Sequence, residues 1–227
     1  GGTSNSNTVT GELLETLTLT KTAASSRYTA RDNVTYVLSL VNGGTAPLTE
    51  LVLTDDLGGY AFGTDTVYPL TYNEGTLRVY VNGVLQTTPT VTAGPPLTVT
   101  GLTVPAGGNA LLVYEAAVTR YAPLDQEAAI TNTATVTGGG LAASLTAQAT
   151  LAAAQRADLT VSKAICPATV TESGQLTYTF VLQNFGNTAA TAGDNAILTD
   201  TFDPALTGLT VTYNGDAWTE GDNYTYD

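Results

Sequence analysis

The sequence predicts an all-β protein of tandem Greek-key, Ig-like β-sandwich domains, and three observations carry that expectation. Charged residues make up only 12% of the chain, while Thr, Val, Leu, Ala, Tyr and Gly are abundant, the composition of half-buried strands joined by tight turns. Apolar residues recur with period two, and no segment keeps a helical period. The chain also repeats itself: Leu17-Thr18-Leu19-Thr20-Lys21 matches Leu159-Thr160-Val161-Ser162-Lys163 at an offset of 142 residues.

In chain order, the first predicted strand runs through Leu17 to Lys21, and the next through Val34-Thr35-Tyr36-Val37-Leu38 to the turn at Asn42-Gly43-Gly44. The second copy repeats this at the same offset in Leu176-Thr177-Tyr178-Thr179-Phe180, with Asn184 and Gly186. Leu53-Thr54-Asp55 corresponds to Leu198-Thr199-Asp200 at an offset of 145, so the second copy carries three extra loop residues. Further turns are signalled at Asn82-Gly83, Gly94-Pro95-Pro96 and Gly107-Gly108-Asn109. Ile130 to Val136 forms another strand, and the alternation of Leu141, Ala143, Leu145, Ala147, Ala149 and Leu151 predicts a long final strand rather than a helix. Seven or so short strands in roughly 140 residues fit a two-sheet sandwich. Asn5-Ser6-Asn7-Thr8-Val9-Thr10-Gly11 aligns with Asn132-Thr133-Ala134-Thr135-Val136-Thr137-Gly138. The expected organisation is therefore the last strand of a preceding repeat, or an exchanged strand, over 1–13. A complete sandwich over 14–157 and the N-terminal part of a second, incomplete repeat over 158–227 follow.

Composition narrows the function. Seven basic against 20 acidic residues give a net charge of −13, which disfavours nucleic acid and anionic membrane surfaces as partners. No apolar run is long enough to span a bilayer, so no membrane insertion is expected in this segment. The chain has no His, no Met and a single cysteine, Cys166. It therefore offers no histidine general base, no zinc constellation and no disulfide framework, and no cofactor or metal is expected. An enzyme acting on a separate substrate is not expected.

Parity then picks out three polar residues. Successive side chains of a strand point to opposite faces, so Lys21 shares the apolar face of Leu17 and Leu19. Asp55 shares that of Leu51 and Leu53, and Asn132 that of Ile130, Ala134 and Val136. Lys163 and Asp200 stand at the equivalent positions of the second copy. Lys21 and Lys163 are the only lysines, the other five basic residues being arginines. A guanidinium keeps its proton in a protein, whereas a buried amine can lose it and become a nucleophile. Beside a carboxamide such an amine can form an amide and expel ammonia, if a protonated carboxylic acid polarises the carbonyl and shuttles protons. The plainer alternative has Lys21 lifting its ammonium into water at a strand end, with Asp55 a turn residue and Asn132 an edge hydrogen-bonder. Glu115, in Leu111-Leu112-Val113-Tyr114-Glu115, is an alternative acid.

The order Lys, Asp, Asn, with Leu-Thr-Asp-Asp-Leu at 53–57, Ile-Thr-Asn-Thr-Ala-Thr-Val-Thr at 130–137, Asn42-Gly43-Gly44, Asn184-Phe185-Gly186 and Thr199-Asp200-Thr201-Phe202, resembles the bacterial surface repeat catalogued as domain of unknown function eleven. The resemblance covers nearly the whole chain and is similar to Gram-positive adhesin and pilin domains that form an internal Lys-Asn isopeptide bond with an acidic helper. It implies that Lys21 and Asn132 are the bonded pair and Asp55 the helper, with Lys163, Asp200 and Asn5 the corresponding members of neighbouring repeats. It also implies an extracellular place on a bacterial cell surface or on a spore or cell appendage. The expected function is a structural repeat of a surface fibre, stalk or pilus-like filament, whose partners are neighbouring repeats or identical subunits. Two alternatives stand beside it: an adhesive module gripping a host or cell-surface ligand, and a filament subunit assembling by strand exchange.

Overall fold

The computed structural model describes residues 17–171 and 173–227; the expected strand over 1–13, with Asn5, lies outside the described residues. In chain order the strands are β1 (Leu17–Ala23), β2 (Arg27–Tyr28), β3 (Asn33–Asn42), β4 (Leu48–Asp55), β5 (Tyr60–Phe62), β6 (Asp65–Val67), β7 (Leu70–Tyr72), β8 (Arg78–Val81), β9 (Val84–Leu85), β10 (Thr90–Thr92), β11 (Leu97–Val104), β12 (Asn109–Val118), β13 (Ala129–Gly138), β14 (Leu145–Ala153), β15 (Leu159–Cys166), β16 (Thr177–Asn184), β17 (Val211–Tyr213) and β18 (Asp216–Trp218). The chain divides into two compact units, the first ending at Ala189 and the second running Ala190–Asp227.

The first unit contains the predicted sandwich. One sheet has the order β1-β3-β12-β8-β9 with β7 also on β12, and the other the order β10-β11-β4-β13-β14-β2. The chain passes repeatedly from one sheet to the other, as at β3 to β4, β11 to β12 and β12 to β13. Period two holds along β3, which reads exposed or half-buried at Asn33, Thr35, Val37 and Ser39, and buried at Val34, Tyr36, Leu38 and Leu40. The inward residues of both sheets, among them Leu38, Leu40, Leu53, Val99, Leu112 and Val136, form one continuous apolar core. Burying each such side chain contributes on the order of 1.5–3 kcal/mol.

More strands are present than the seven or so that the sequence predicts, because β5 to β10 are two to four residues long and too short to show a period. Turn chemistry marks one of them. Asn82 and Gly83 take positive φ values of 48° and 80°, the two-residue turn that matches strand twist, and close Val81 onto Val84. The final strand is shorter than expected: residues 141–144 turn, and β14 begins at Leu145.

The repeat is visible in register. The β15–β16 hairpin pairs Leu159 with Asn184 and Lys163 with Phe180, as β1 and β3 pair Leu17 with Asn42 and Lys21 with Leu38. Asn42 closes its turn with Nδ2 donating to the Ala46 carbonyl at 2.8 Å and Oδ1 accepting from Gly44 N at 2.9 Å. Asn184 does the same with the Thr188 carbonyl at 2.6 Å and Gly186 N at 2.9 Å. The second unit holds a 3-10 turn (Ala192–Asp194) and the β17–β18 hairpin, turned by Asn214 and Gly215. Its Tyr213 and Trp218 rings pack 5.2 Å apart across the hairpin, and both remain exposed.

Candidate functional site

Lys21, Asp55 and Asn132 converge in the core of the sandwich. Each arrives by alternation: β1 buries Leu17 and Lys21, β4 buries Leu51, Leu53 and Asp55, and β13 buries Ile130, Asn132, Ala134 and Val136. Lys21 comes from one sheet, and Asp55 and Asn132 from adjacent strands of the other. Asp55 pairs with Ala134, which puts Asn132 two residues along on the same face. The turn after β4 fixes that register. Asp56 N donates to the Thr133 carbonyl at 3.0 Å, and Asp56 Oδ1 accepts from Thr133 N at 2.8 Å. Gly58, at φ 70°, belongs to this turn, and a Cβ there would lie 2.8 Å from Ile130 Cγ2. Only glycine fits so close.

The side chains of Lys21 and Asp55 are sealed from solvent, at 0% exposure each, with Nζ 2.6 Å from Oδ2. Lys21 therefore does not lift its ammonium into water. Its amine also lies 4.9 Å from the Tyr36 ring centroid. Asp55 Oδ1 accepts from Leu57 N at 3.1 Å. Burial pulls the Lys21 amine below the usual lysine range, with Asp55 and more weakly Asp56 opposing; desolvation disfavours the charged form. Two charges out of water are costly to bury, whereas the same pair after proton transfer, amine and carboxylic acid, carries none.

Tyr114 is the member that the sequence reading passed over. Its hydroxyl donates to Asp55 Oδ2 at 2.6 Å and accepts from Asn132 Nδ2 at 3.2 Å. It thus joins acid and carboxamide, completing a chain Lys21–Asp55–Tyr114–Asn132. The ring is held between Tyr36, stacked at 5.5 Å, and Tyr72, edge-on at 6.0 Å. Burial, then Asp55, holds the Tyr114 phenol well above its ordinary pKa. Burial raises Tyr36 likewise, with the Asn132 side chain acting in the opposite direction. Among the described residues, two buried side-chain polar atoms have no hydrogen-bond partner, Tyr36 Oη and Asn132 Oδ1. Inward parity at Tyr114, and the repetition of Tyr36 as Tyr178, were the signals available in the sequence; a buried phenol needs a polar partner.

Glu115 is not the acid of this site. Alternation on β12 buries Tyr114 and turns Glu115 outward, where it is exposed. In the second copy Lys163 lies on β15 with Nζ 4.5 Å from the Tyr178 ring centroid, repeating the placement of Lys21 over Tyr36, but β15 is exposed along its length. Asp200 is an exposed residue of the second unit.

Chemically, the buried cluster holds a lysine amine, a carboxyl able to exchange protons with it and a carboxamide one hydrogen bond further on, all sealed from bulk solvent. Such a set can carry out intramolecular amide exchange. Among the described residues no group of His, Cys, Asp and Glu is placed to hold a metal ion.

No family profile matches the chain. No curated protein matches it either. Solved structures similar to it include the pilus backbone protein of Streptococcus pneumoniae, at 16% identity and a TM-score of 0.43, covering 53% of this chain and 31% of that one. The major pilin subunit of Bacillus cereus is 12% identical with a TM-score of 0.46, covering 75% of this chain and 55% of that one. The N-terminal domain of a Streptococcus gordonii adhesin is 18% identical with a TM-score of 0.42, covering 61% and 32%. The chain spans 31% to 55% of the length of these structures.

Proposed function

We propose that this chain is a structural segment of an extracellular surface fibre, built from repeated sandwiches and locked internally by an amide between Lys21 Nζ and Asn132 Cγ. The observation that supports it is the sealed chain of hydrogen bonds from Lys21 through Asp55 and Tyr114 to Asn132. Asp55 takes a proton from the Lys21 ammonium. The neutral amine attacks Cγ, one Nζ proton passes to the carboxamide nitrogen by way of the acid, and ammonia leaves. The product ties the edge strand of one sheet to an inner strand of the other, so pulling on β1 loads a covalent bond rather than a ladder of hydrogen bonds.

Lys163 and Asp200, equivalent in sequence to Lys21 and Asp55, are the amine and acid of a second repeat in this reading, and Asn5 is the carboxamide of a preceding one. The repeats then run 1–13, 14–157 and 158–227, and their partners are neighbouring repeats or identical subunits at a bacterial surface.

Intact mass spectrometry of the purified chain tests the bond. Each Lys-Asn amide removes one ammonia, about 17 Da, and digestion should yield a branched peptide joining Lys21 to Asn132. Asp55→Ala should restore the full mass. A folded wild-type chain at its full calculated mass rules the bond out.

A further inference from the structure

The two phenols at the carboxamide bear on how the bond closes. In the ground state the Tyr114 hydroxyl donates to Asp55 Oδ2, the same oxygen that accepts from Lys21 Nζ, and it accepts from Asn132 Nδ2. Asp55 Oδ1 is engaged by Leu57 N, and among the described residues the hydrogen-bond partner of Asn132 Nδ2 is Tyr114. A proton that Asp55 receives from the lysine side therefore has a direct route to the nitrogen that must leave: through the Tyr114 oxygen. Amide nitrogen is a poor base while it is conjugated, but attack at Cγ makes it tetrahedral and basic. The same attack places negative charge on Oδ1, which is buried without a hydrogen-bond partner, while Tyr36, stacked on the Tyr114 ring, carries a hydroxyl that is also buried without one.

Building on the proposed Lys21-Asn132 bond, we infer that Tyr114 is a catalytic proton relay in its formation and that Tyr36 supplies the hydrogen bond to the developing oxyanion. The steps balance. Lys21 gives one ammonium proton to Asp55, and its lone pair forms the bond to Cγ as the carbonyl pair moves onto Oδ1 beneath the Tyr36 hydroxyl. Tyr114 then passes its own proton to Nδ2 and takes the Asp55 proton in return. The C–Nδ2 bond breaks as the carbonyl reforms, and the remaining excess proton on Nζ returns to Asp55. The products are one amide and one ammonia; each phenol again carries one proton, and ammonia departing as ammonium takes the proton left on Asp55. Both rings keep their protons throughout the ground state because burial holds them un-ionised. A phenol is suited to the relay, since it donates and accepts through one atom.

The test follows bond formation in time. Wild type, Tyr114→Phe, Tyr36→Phe and Tyr72→Phe chains are made by cell-free synthesis, sampled from minutes to days, and read by intact mass for the loss of ammonia, with circular dichroism confirming the fold. Loss of a general acid or of an oxyanion donor slows such steps by roughly 10²-fold or more, so Tyr114→Phe and Tyr36→Phe should remain at full mass long after wild type has closed. Tyr72 packs on Tyr114 but its hydroxyl serves Leu77 N, so Tyr72→Phe should close at the wild-type rate while losing comparable stability. Equal slowing in Tyr72→Phe overturns the inference in favour of simple packing. Closure of Tyr114→Phe at the wild-type rate overturns the relay and leaves the bond itself standing, whereas a wild-type chain that never loses ammonia removes both. Should Tyr114→Phe fail to fold, 3-fluorotyrosine at position 114 keeps the shape and acidifies the phenol; an unchanged closing rate then refutes the relay.

Discussion

Asn132→Ala separates what covalent closure contributes from what the hydrogen-bonded cluster contributes. An amide between Lys21 and Asn132 closes a loop of about 110 residues, for which the chain-entropy relation used for disulfides gives a stabilisation of about 5 kcal/mol. In a chain without that amide, the variant loses only the hydrogen bond from Asn132 Nδ2 to Tyr114, about 1 kcal/mol for a neutral pair. Unfolding entropy scales with length, so for a sandwich of about 140 residues each kcal/mol moves Tm by about 3–4 °C, and the variant should melt about 15–20 °C below a wild type closed by the amide. Differential scanning calorimetry of both chains measures the shift. Thr131→Ala is the control, since the Thr131 side chain meets Thr150 on the exposed face and should move Tm by no more than a few degrees. If Asn132→Ala melts only 3–4 °C below wild type, it has lost a hydrogen bond and nothing else, and the covalent reading fails.

Other outcomes follow from the same geometry. Asp55→Ala leaves the Lys21 amine buried without its partner and should cost about 3–5 kcal/mol in denaturant unfolding, beyond the loss of the bond. Leu112→Ala, at a fully buried position, should cost about 2–5 kcal/mol by leaving a cavity, while Val161→Ala, half exposed on β15, should change stability by about 0.5 kcal/mol or less. At alkaline pH the buried phenols decide. Tyr36 and Tyr114 keep their protons in the folded state to higher pH than in the unfolded chain, so their contribution is intact below about pH 10 and is lost as pH rises further. The slope is about 1.4 kcal/mol per pH unit for each, read as a falling midpoint in urea titrations.

Which residues sequence could reveal depended on where their partners came from. Alternation within a strand is local, so Lys21, Asp55 and Asn132 were legible as inward-facing polar residues before any packing was known. The turn at Asn82-Gly83 was legible for the same reason, its conformation being set by two residues. Tyr114 was not, because its role arises between sheets: β12 lies in one, β4 and β13 in the other, and no strand period encodes how two sheets slide over each other. An aromatic residue on an apolar face reads as filling until its hydroxyl is seen against a carboxylate. Glu115 follows Tyr114 directly, so the alternation that buries the phenol turns the carboxylate outward.

The second copy makes the same point from the opposite direction. Lys163 matches Lys21 in motif, in register against β16 and in its position over a tyrosine ring, yet Lys21 is buried and Lys163 exposed. What differs is the opposing sheet, which supplies the low dielectric that lowers the Lys21 amine. The lowered pKa of Lys21 is therefore a property of two packed layers and not of the lysine motif. In Asn132→Ala, where Lys21 stays a free amine, a signature follows. The unfolded lysine holds its proton up to its ordinary pKa of about 10.5, whereas the folded one releases it at lower pH. The unfolded state then binds more protons, so stability rises with pH across that interval. In a wild-type chain with Lys21 consumed as an amide, that rise should be missing. If wild type and Asn132→Ala show the same rise in urea midpoint between neutral pH and pH 10, Lys21 is a free amine in both, and no bond has formed.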